Sequence, residues 1–362
     1  MFKRWRRRCG APARPATRRR VPMFRGTVET VRLALPSKGQ LEEPTLAFLE
    51  RCGMRVSKTN PRQYLARMPA FPQVEVLFQR PADIFTKVRD GDVCLGITGF
   101  DVVAEGRSDG DETLVLYENL GYGGCDLVLA VPEGWLDVNC LADLADLALE
   151  WWEQGRPLRI ATKYPNLVRE FLYRKDIHHF TLVEASGAIE AAPAIGYADL
   201  IADITATGTT LRENRLKQLD DGVILHSEAC FIGNRSMLAR GGPALAVAEQ
   251  MLEFIEAHHR GRRYRSILAN IPCHEPAALA RQMLDRPVVA GLRGPSFLPI
   301  YDANGDCVAV TVSIVVREEQ LHQAIQEFRR LGSTEVIVSP VEYIFSAESE
   351  AVGRLRRALG KN

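Results

Sequence analysis

The stretch E-A-A-P-A-I-G-Y-A-D-L-I-A-D-I-T-A-T-G-T-T-L, Glu190 to Leu211, decides how the rest of the chain is read. The apolar run Asp199 to Ile204 reads as a buried strand, with Asp203 next to its C-terminal end. Thr205, Ala206, Thr207, Gly208, Thr209 and Thr210 then form a loop of small residues before a helical stretch from Leu211. A strand, a small-residue loop and a helix N-terminus together suit an anion. The loop amides converge, the hydroxyls add donors, and Gly208 admits a close approach or a positive φ. A carboxylate just before the loop repels phosphate but suits sugar hydroxyls or a metal. The reading is phosphate beside ribose.

Working outward, the second lobe is α/β. Pro157–Thr162 and Phe180–Ala185 read as strands, and Lys163-Tyr164-Pro165-Asn166 opens a helix to Tyr173. Upstream, Val31–Leu35, Val74–Phe78 and Asp92–Gly99 read as strands separated by helices, which predicts a largely parallel sheet. Ligands bind outside the carboxyl ends of such strands. Lys38, Arg80 and Asp101 all fall at such ends, each with a solvated side chain or a local salt bridge as the plainer reading. Gly121-Tyr122-Gly123-Gly124 fits either a crossing between lobes or a turn. Residues 134–157 carry leucines and two tryptophans at helical spacing, fitting a helix that caps a lobe or meets a partner. After the long helix Gly242–His259, the order β-α-β-β-α-β describes a small ferredoxin-like domain.

The 362 residues suffice for two or three domains. The 25% charged and 46% hydrophobic content is that of a soluble globular protein, and no apolar run reaches the ~18 residues of a membrane span. Eight scattered cysteines without a C-x-x-C pair speak against a disulfide framework or zinc site and for a reducing cytoplasm. Ten of the 46 Lys and Arg fall in residues 1–25, which hold no Asp or Glu. This leader reads as a disordered, dispensable extension, with an organelle-targeting or polyanion-binding arm as the alternative.

The spacing of Glu190, Gly196, Ala198, Ile201, Asp203, Ile204, Thr207, Gly208, Thr210 and Leu211 resembles the signature of the ATP phosphoribosyltransferases. L-P-S-K-G, R-P-A-D-I, L-G-I-T-G-F-D, G-G-C and R-I-A-T-K-Y-P-N-L-V are similar to further blocks of that family, over about residues 28–345. The resemblance implies a two-lobed, periplasmic-binding-protein-like catalytic unit and a C-terminal ferredoxin-like regulatory domain, as in the long, hexameric form. The implied division is 1–26 basic extension, 27–121 and 230–262 first lobe, 122–229 second lobe, 263–345 regulatory domain and 346–362 tail.

It also implies transfer of phosphoribosyl from phosphoribosyl pyrophosphate (PRPP) to N1 of ATP. This releases pyrophosphate and opens histidine biosynthesis. Mg²⁺ would be required, histidine would inhibit, and copies of the chain would assemble as a dimer to hexamer, with no nucleic acid or membrane partner. On the implied roles, Ala206, Thr207, Gly208, Thr209 and Thr210 take the 5′-phosphate and Asp203 the ribose. Glu190 and Asp203 stabilise positive charge at the anomeric carbon. Lys38 and Arg80 neutralise phosphates, and Asp101 and Val102 match nucleotide-contacting positions. No residue is assigned to the metal, and Asp199 reads as structural.

The chain departs from the family at Ala82, where a second basic residue is common, and at Arg215, where Gly often follows Asn214. Residues 134–157 and the end beyond Ser346 are extensions. A non-catalytic two-lobed binding or effector-sensing protein, a silent regulatory subunit and a phosphoribosyltransferase with another acceptor are the rival readings.

Overall fold

The computed structural model describes residues 30–361 except Thr59, Pro61, Arg62, Ser108, Asp109, Asp111, Ser186 and Arg293. The basic leader of residues 1–26 lies outside the described residues.

In the first lobe, β1 (Val31–Pro36), α1 (Glu42–Arg51), β2 (Leu65–Met68), β3 (Phe71–Gln79), α2 (Pro81–Arg89), β4 (Leu95–Gly99), α3 (Phe100–Gly106) and β5 (Thr113–Tyr117) follow in order. The second lobe holds β6 (Cys125–Pro132), α4 (Leu141–Glu153), β7 (Leu158–Thr162), α5 (Pro165–Arg174), β8 (Phe180–Glu184), β9 (Leu200–Thr205), α6 (Thr209–Glu213) and β10 (Leu216–Ser227). The chain then returns to the first lobe through β11 (Ala229–Asn234), α7 (Arg235–Ala239) and α8 (Gly242–Gly261).

The first sheet has the order β2-β3-β1-β4-β11-β5, with β1 parallel to both β3 and β4. Leu33, Leu35, Val76 and Leu95 are fully buried, because the central strands of a covered sheet place these side chains in the core. Each such side chain contributes about 1.5–3 kcal/mol. The second sheet has the order β10-β6-β9-β7-β8. Two segments cross between the lobes side by side, Leu120–Gly124 going out and Ser227–Glu228 coming back. Leu120 N–H donates to Ala229 C=O and Ala229 N–H to Tyr122 C=O, both at 3.0 Å. Gly121 and Gly123 there have φ of +78° and +70°, so the glycines make the crossing.

β12 (Tyr264–Pro272), α9 (Pro276–Leu284), β13 (Ser296–Tyr301), β14 (Cys307–Arg317), α10 (Leu321–Arg330) and β15 (Glu335–Pro340) build the C-terminal unit. Its antiparallel sheet, β13-β14-β12-β15, is ferredoxin-like. Leu279 and Met283 of α9 and Ala324 and Phe328 of α10 cover one face. Beyond it, α11 (Glu350–Ala358) returns to the first lobe, where Ala351, Val352 and Leu355 join the core beside Met251 and Ile255 of α8.

Several boundaries differ from the sequence expectation. The strand expected at Asp92 starts at Leu95, and the one expected at Val223–Leu225 is the twelve-residue β10. The helix expected from Leu211 begins at Thr209 and lasts five residues. The insertion forms α4, which buries Leu141, Leu144 and Ala148 against the second sheet. Its Trp151 packs edge-on against Trp135 at 5.5 Å.

Candidate functional site

Three strand ends of the first sheet meet at one edge, since β1, β3 and β4 run parallel. Ser37 N–H donates to Gln79 C=O at 2.8 Å, which ties the loop of Lys38 to that of Arg80. Thr98 Oγ1 donates to Pro81 C=O at 2.9 Å and ties in the end of β4. Lys38 and Arg80 are exposed there, with guanidinium and ammonium free to meet an anion.

Asp101 is different. It is 6% exposed at the first turn of α3, where its carboxylate accepts from Tyr164 Oη at 2.7 Å and Ser227 Oγ at 3.0 Å. Its own N–H donates to Ser227 Oγ at 2.9 Å. Tyr164 belongs to the second lobe and Ser227 to the return crossing, so one carboxylate joins three parts of the chain. Burial, then the Asp101 charge and hydrogen bond, hold the Tyr164 phenol well above its usual range. A second tie lies nearby. The Glu105 carboxylate accepts from Asn166 N–H at 2.9 Å and Leu167 N–H at 3.0 Å, capping α5 from α3. Val102, on the same helix, is half-buried.

On the second lobe, Gly208 has φ +69° and turns the chain into α6. Its N–H donates to Thr205 Oγ1 at 2.9 Å, and the Thr207 and Thr209 hydroxyls lie 2.9 Å apart. Arg212 reaches back to Thr207 C=O at 3.2 Å and Thr209 Oγ1 at 3.3 Å. A five-residue helix carries little macrodipole. The hydroxyls, loop amides and the Arg212 guanidinium are therefore the donors this loop could offer an anion, and Ala206, Thr209 and Thr210 are exposed.

Asp203 sits on β9 two residues before the strand ends. Burial raises its carboxyl above the usual range, and the Glu190 and Asp101 charges add to the rise. The Ile204 N–H, at 2.9 Å, and Lys163 oppose it. Glu190 stands on a single 3₁₀ turn, Ile189–Ala191, rather than on an α-helix. Asp199 faces elsewhere. Burial alone would raise its carboxyl, but hydrogen bonds from Arg159 and the charges of Arg156 and Arg159 hold it low. It is a structural anchor, as expected.

The fold thus brings Asp203, Glu190 and the loop together on one lobe and faces them with Asp101 from the other. The family model described as "HisG: ATP phosphoribosyltransferase" matches residues 80–257, and the one described as "HisG, C-terminal domain" matches residues 262–343. ATP phosphoribosyltransferase 2, chloroplastic, of Arabidopsis thaliana is 38% identical over 336 residues, covering 92% of this chain and 81% of that protein. The chain belongs to the ATP phosphoribosyltransferase family. ATP phosphoribosyltransferase of Bradyrhizobium sp. (strain ORS 278) is 36% identical over 329 residues, covering 90% of this chain and 98% of that one. A solved structure titled "ATP phosphoribosyl transferase (HisG:HisZ) complex from Thermotoga maritima" is 27% identical. It covers 63% of this chain and 98% of that one at a TM-score of 0.47.

Family membership did not require the residues that sequence reasoning missed. Tyr164 and Lys163 stood inside a family block, yet nothing in their spacing showed contact with Asp101 or Asp203. Arg212 gave a usable signal, a base two residues after the loop. His226, whose Nδ1 lies 2.7 Å from Asp126 Oδ1, gave none. Register alone brings that pair beside the loop, where Asp126 also faces Thr205.

Proposed function

We propose that this chain transfers the phosphoribosyl group of PRPP to N1 of ATP, releasing pyrophosphate, as the first step of histidine biosynthesis. Membership of the family carries the reading, and the site chemistry supports it. The loop at Ala206–Thr210 with Arg212 binds the 5′-phosphate. Asp203 receives the ribose hydroxyls, and with Glu190 it stabilises the positive charge that develops at the anomeric carbon. Asp101 and Val102 position the nucleotide from the other lobe, and Lys38 and Arg80 hold phosphates. Adenine N1 needs no strong base, so positioning and leaving-group neutralisation carry most of the rate.

The family uses a divalent metal, and Mg²⁺ is the ion proposed. Among the described residues no three carboxylates, histidines or cysteines form a metal cage. That fits Mg²⁺, which binds through one or two carboxylates together with substrate phosphates. Asp203 and Glu190 are the carboxylates available. The ion supplies charge neutralisation on the pyrophosphate.

The domain division given above is kept as part of this proposal, with residues 350–358 counted in the first lobe on account of their burial there. The chain assembles into a homo-oligomer. The uncovered face of the C-terminal sheet supports this, with Leu268, Leu298 and Ile337 at 39%, 61% and 57% exposure. Histidine acts through the same C-terminal unit as an inhibitor. Among the described residues no helix is long and apolar enough to cross a membrane. All seven described cysteines are free, and burial pushes Cys52 and Cys94 up to about 12, which suits a reducing compartment such as the cytoplasm.

Incubation with ATP, PRPP, Mg²⁺ and a pyrophosphatase tests the reading through formation of phosphoribosyl-ATP. Product from another base but none from ATP would move the assignment to a different acceptor. Inhibition by histidine that disappears on truncation after Arg260 would support the regulatory part.

A further inference from the structure

The C-terminal unit carries two half-buried cysteines, Cys273 directly after β12 and Cys307 at the start of β14. They are 34 residues apart in sequence. The antiparallel pairing of the two strands, which ends with Pro272 opposite Ala309, brings them to one corner of the sheet. Alternation alone would set them on different faces. Ile267, Ala269 and Ile271 of β12 and Val310, Val312 and Ile314 of β14 pack under the helices, so the odd-numbered residues of β14 should point to the uncovered face. The register between β13 and β14 slips at this corner, from Ile300 opposite Ala309 to Tyr301 opposite Cys307. Val308 is the extra residue of that bulge and is 37% exposed. Cys307 is thereby turned to the helix-covered side, where it and Cys273 pack against the same cluster.

The contacts at the corner are close. Cys273 N–H donates to Val308 C=O at 3.3 Å, and the Cys307 thiol lies 3.5 Å from the Cys273 carbonyl oxygen. Opposed residues of an antiparallel pair have Cα atoms about 4.5–5.5 Å apart, within the roughly 4.4–6.8 Å that a disulfide spans. His274 donates Nδ1–H to the Cys307 carbonyl at 2.9 Å, which leaves its Nε2 as a base beside the pair. The other described cysteines are placed differently. Burial pushes Cys52 and Cys94 up to about 12 and Cys125 up to about 11, and it raises Cys230 further, so these stay protonated. Cys140 is held by Asp143 Oδ2 at 3.2 Å where α4 begins.

We propose that Cys273 and Cys307 form a reversible intrachain disulfide on reaction with a small disulfide such as oxidised glutathione. One cysteine, as thiolate, attacks the small disulfide and forms a mixed disulfide, and the first small thiolate leaves and takes up a proton. The second cysteine, as thiolate, then attacks the sulfur of the first and expels the other small thiolate. Two protein thiols are oxidised, one small S–S bond is reduced to two thiols, and the two protons pass from the protein to them. The new bond ties the start of β14 to the turn that leads from β12 into α9, so oxidation stiffens the turn that carries α9. In a reducing compartment such a pair closes transiently, as a sensor of the thiol pool and not as a structural brace. It does not depend on the reaction proposed for the cleft.

Peptide mapping of the full-length protein tests this, because trypsin leaves Cys273 on residues 266–281 and Cys307 on residues 294–317. The protein is equilibrated with mixtures of reduced and oxidised glutathione, and free thiols are then blocked. The two peptides are expected to appear cross-linked as the oxidised form comes to dominate, and dithiothreitol should release both with alkylatable thiols. Cys273→Ser and Cys307→Ser should each abolish the link. Hydrogen exchange over residues 272–279 should slow on oxidation of the parent and stay unchanged on the same treatment of either variant. The parent protein alone decides whether the bond forms, so a poorly folded variant does not blunt the test. No cross-link at any ratio, a link from either cysteine to another cysteine or to a second copy of the chain, or exchange over 272–279 that oxidation of the parent leaves unchanged would overturn the proposal.

Discussion

The Tyr164 hydroxyl donates to the Asp101 carboxylate at 2.7 Å, from the second lobe to the first. Asp101 is buried, so this bond compensates a charge removed from water, and Ser227 provides the remaining donor. Tyr164→Phe leaves part of that charge unpaired and should cost about 2 kcal/mol of stability. Thermal unfolding of the variant checks this; an unchanged Tm would mean that the lobes are held elsewhere. The KM for ATP should rise as well, because Asp101 loses its orientation.

Gly208 is expected to be intolerant of any β-branched residue. Its φ of +69° is strained for L side chains, and a new Cβ would meet Arg212 Nη1 at 3.2 Å. Gly208→Val should lower kcat/KM for PRPP by about 10²-fold with little change in secondary structure. Steady-state kinetics beside circular dichroism make the comparison, and a near-normal rate would remove the loop from the mechanism.

Asp203 links activity to pH. Its carboxyl is raised by burial, so the folded state holds a proton more tightly than the unfolded chain. That group favours folding at low pH, and the benefit is lost as pH rises from about 3.9 through the raised folded value. Asp203→Asn should therefore be more stable than the parent at neutral pH and lose this advantage at pH below 3.9. Denaturant titrations at both ends read the effect. The same variant should abolish turnover, and in the parent the acid limb of kcat/KM should lie above the usual carboxylate range.

His259 works in the opposite direction. Burial, with His258, Arg262 and Arg263 around it, lowers the imidazole to about 4. The unfolded chain takes up a proton near pH 6.5 that the folded chain refuses, so stability falls as pH drops from 6.5 towards 4. His258, also lowered by burial, adds to the slope. His259→Phe should flatten the stability profile across that window in denaturant melts.

Arg215 occupies a left-handed conformation, φ +56°, which glycine adopts without steric cost. The strain of about 1 kcal/mol exceeds the entropy cost of glycine by a small margin. Arg215→Gly should raise stability by about 0.5 kcal/mol with activity unchanged, as differential scanning calorimetry and a standard assay would record. Loss of stability would indicate that the arginine side chain packs usefully.

How much of this was legible in the sequence varied with the range of the interaction. Gly208, the threonines and Asp203 lie within eight residues, so local spacing showed the loop and its neighbouring carboxylate. The order of elements in the C-terminal unit was readable for the same reason, since period and turn residues are local signals. Helix α11 also carries a local signal. Ser349 caps it by accepting from Val352 N–H, and Ala351, Val352 and Leu355 share a face.

The sequence by itself determined the class of chemistry, because a phosphate loop is built from consecutive residues. Only the tertiary structure decided which side chains oppose it. Asp101 and Tyr164 are 63 residues apart, Asp101 and Ser227 126 apart, and no periodicity spans such distances. Parallel strand pairing set Lys38, Arg80 and Asp101 on one edge, and the double crossing brought Tyr164 against it. The loop from Thr205 to Thr210, proposed to hold the phosphate, is therefore written locally, while the cleft it faces is a product of packing.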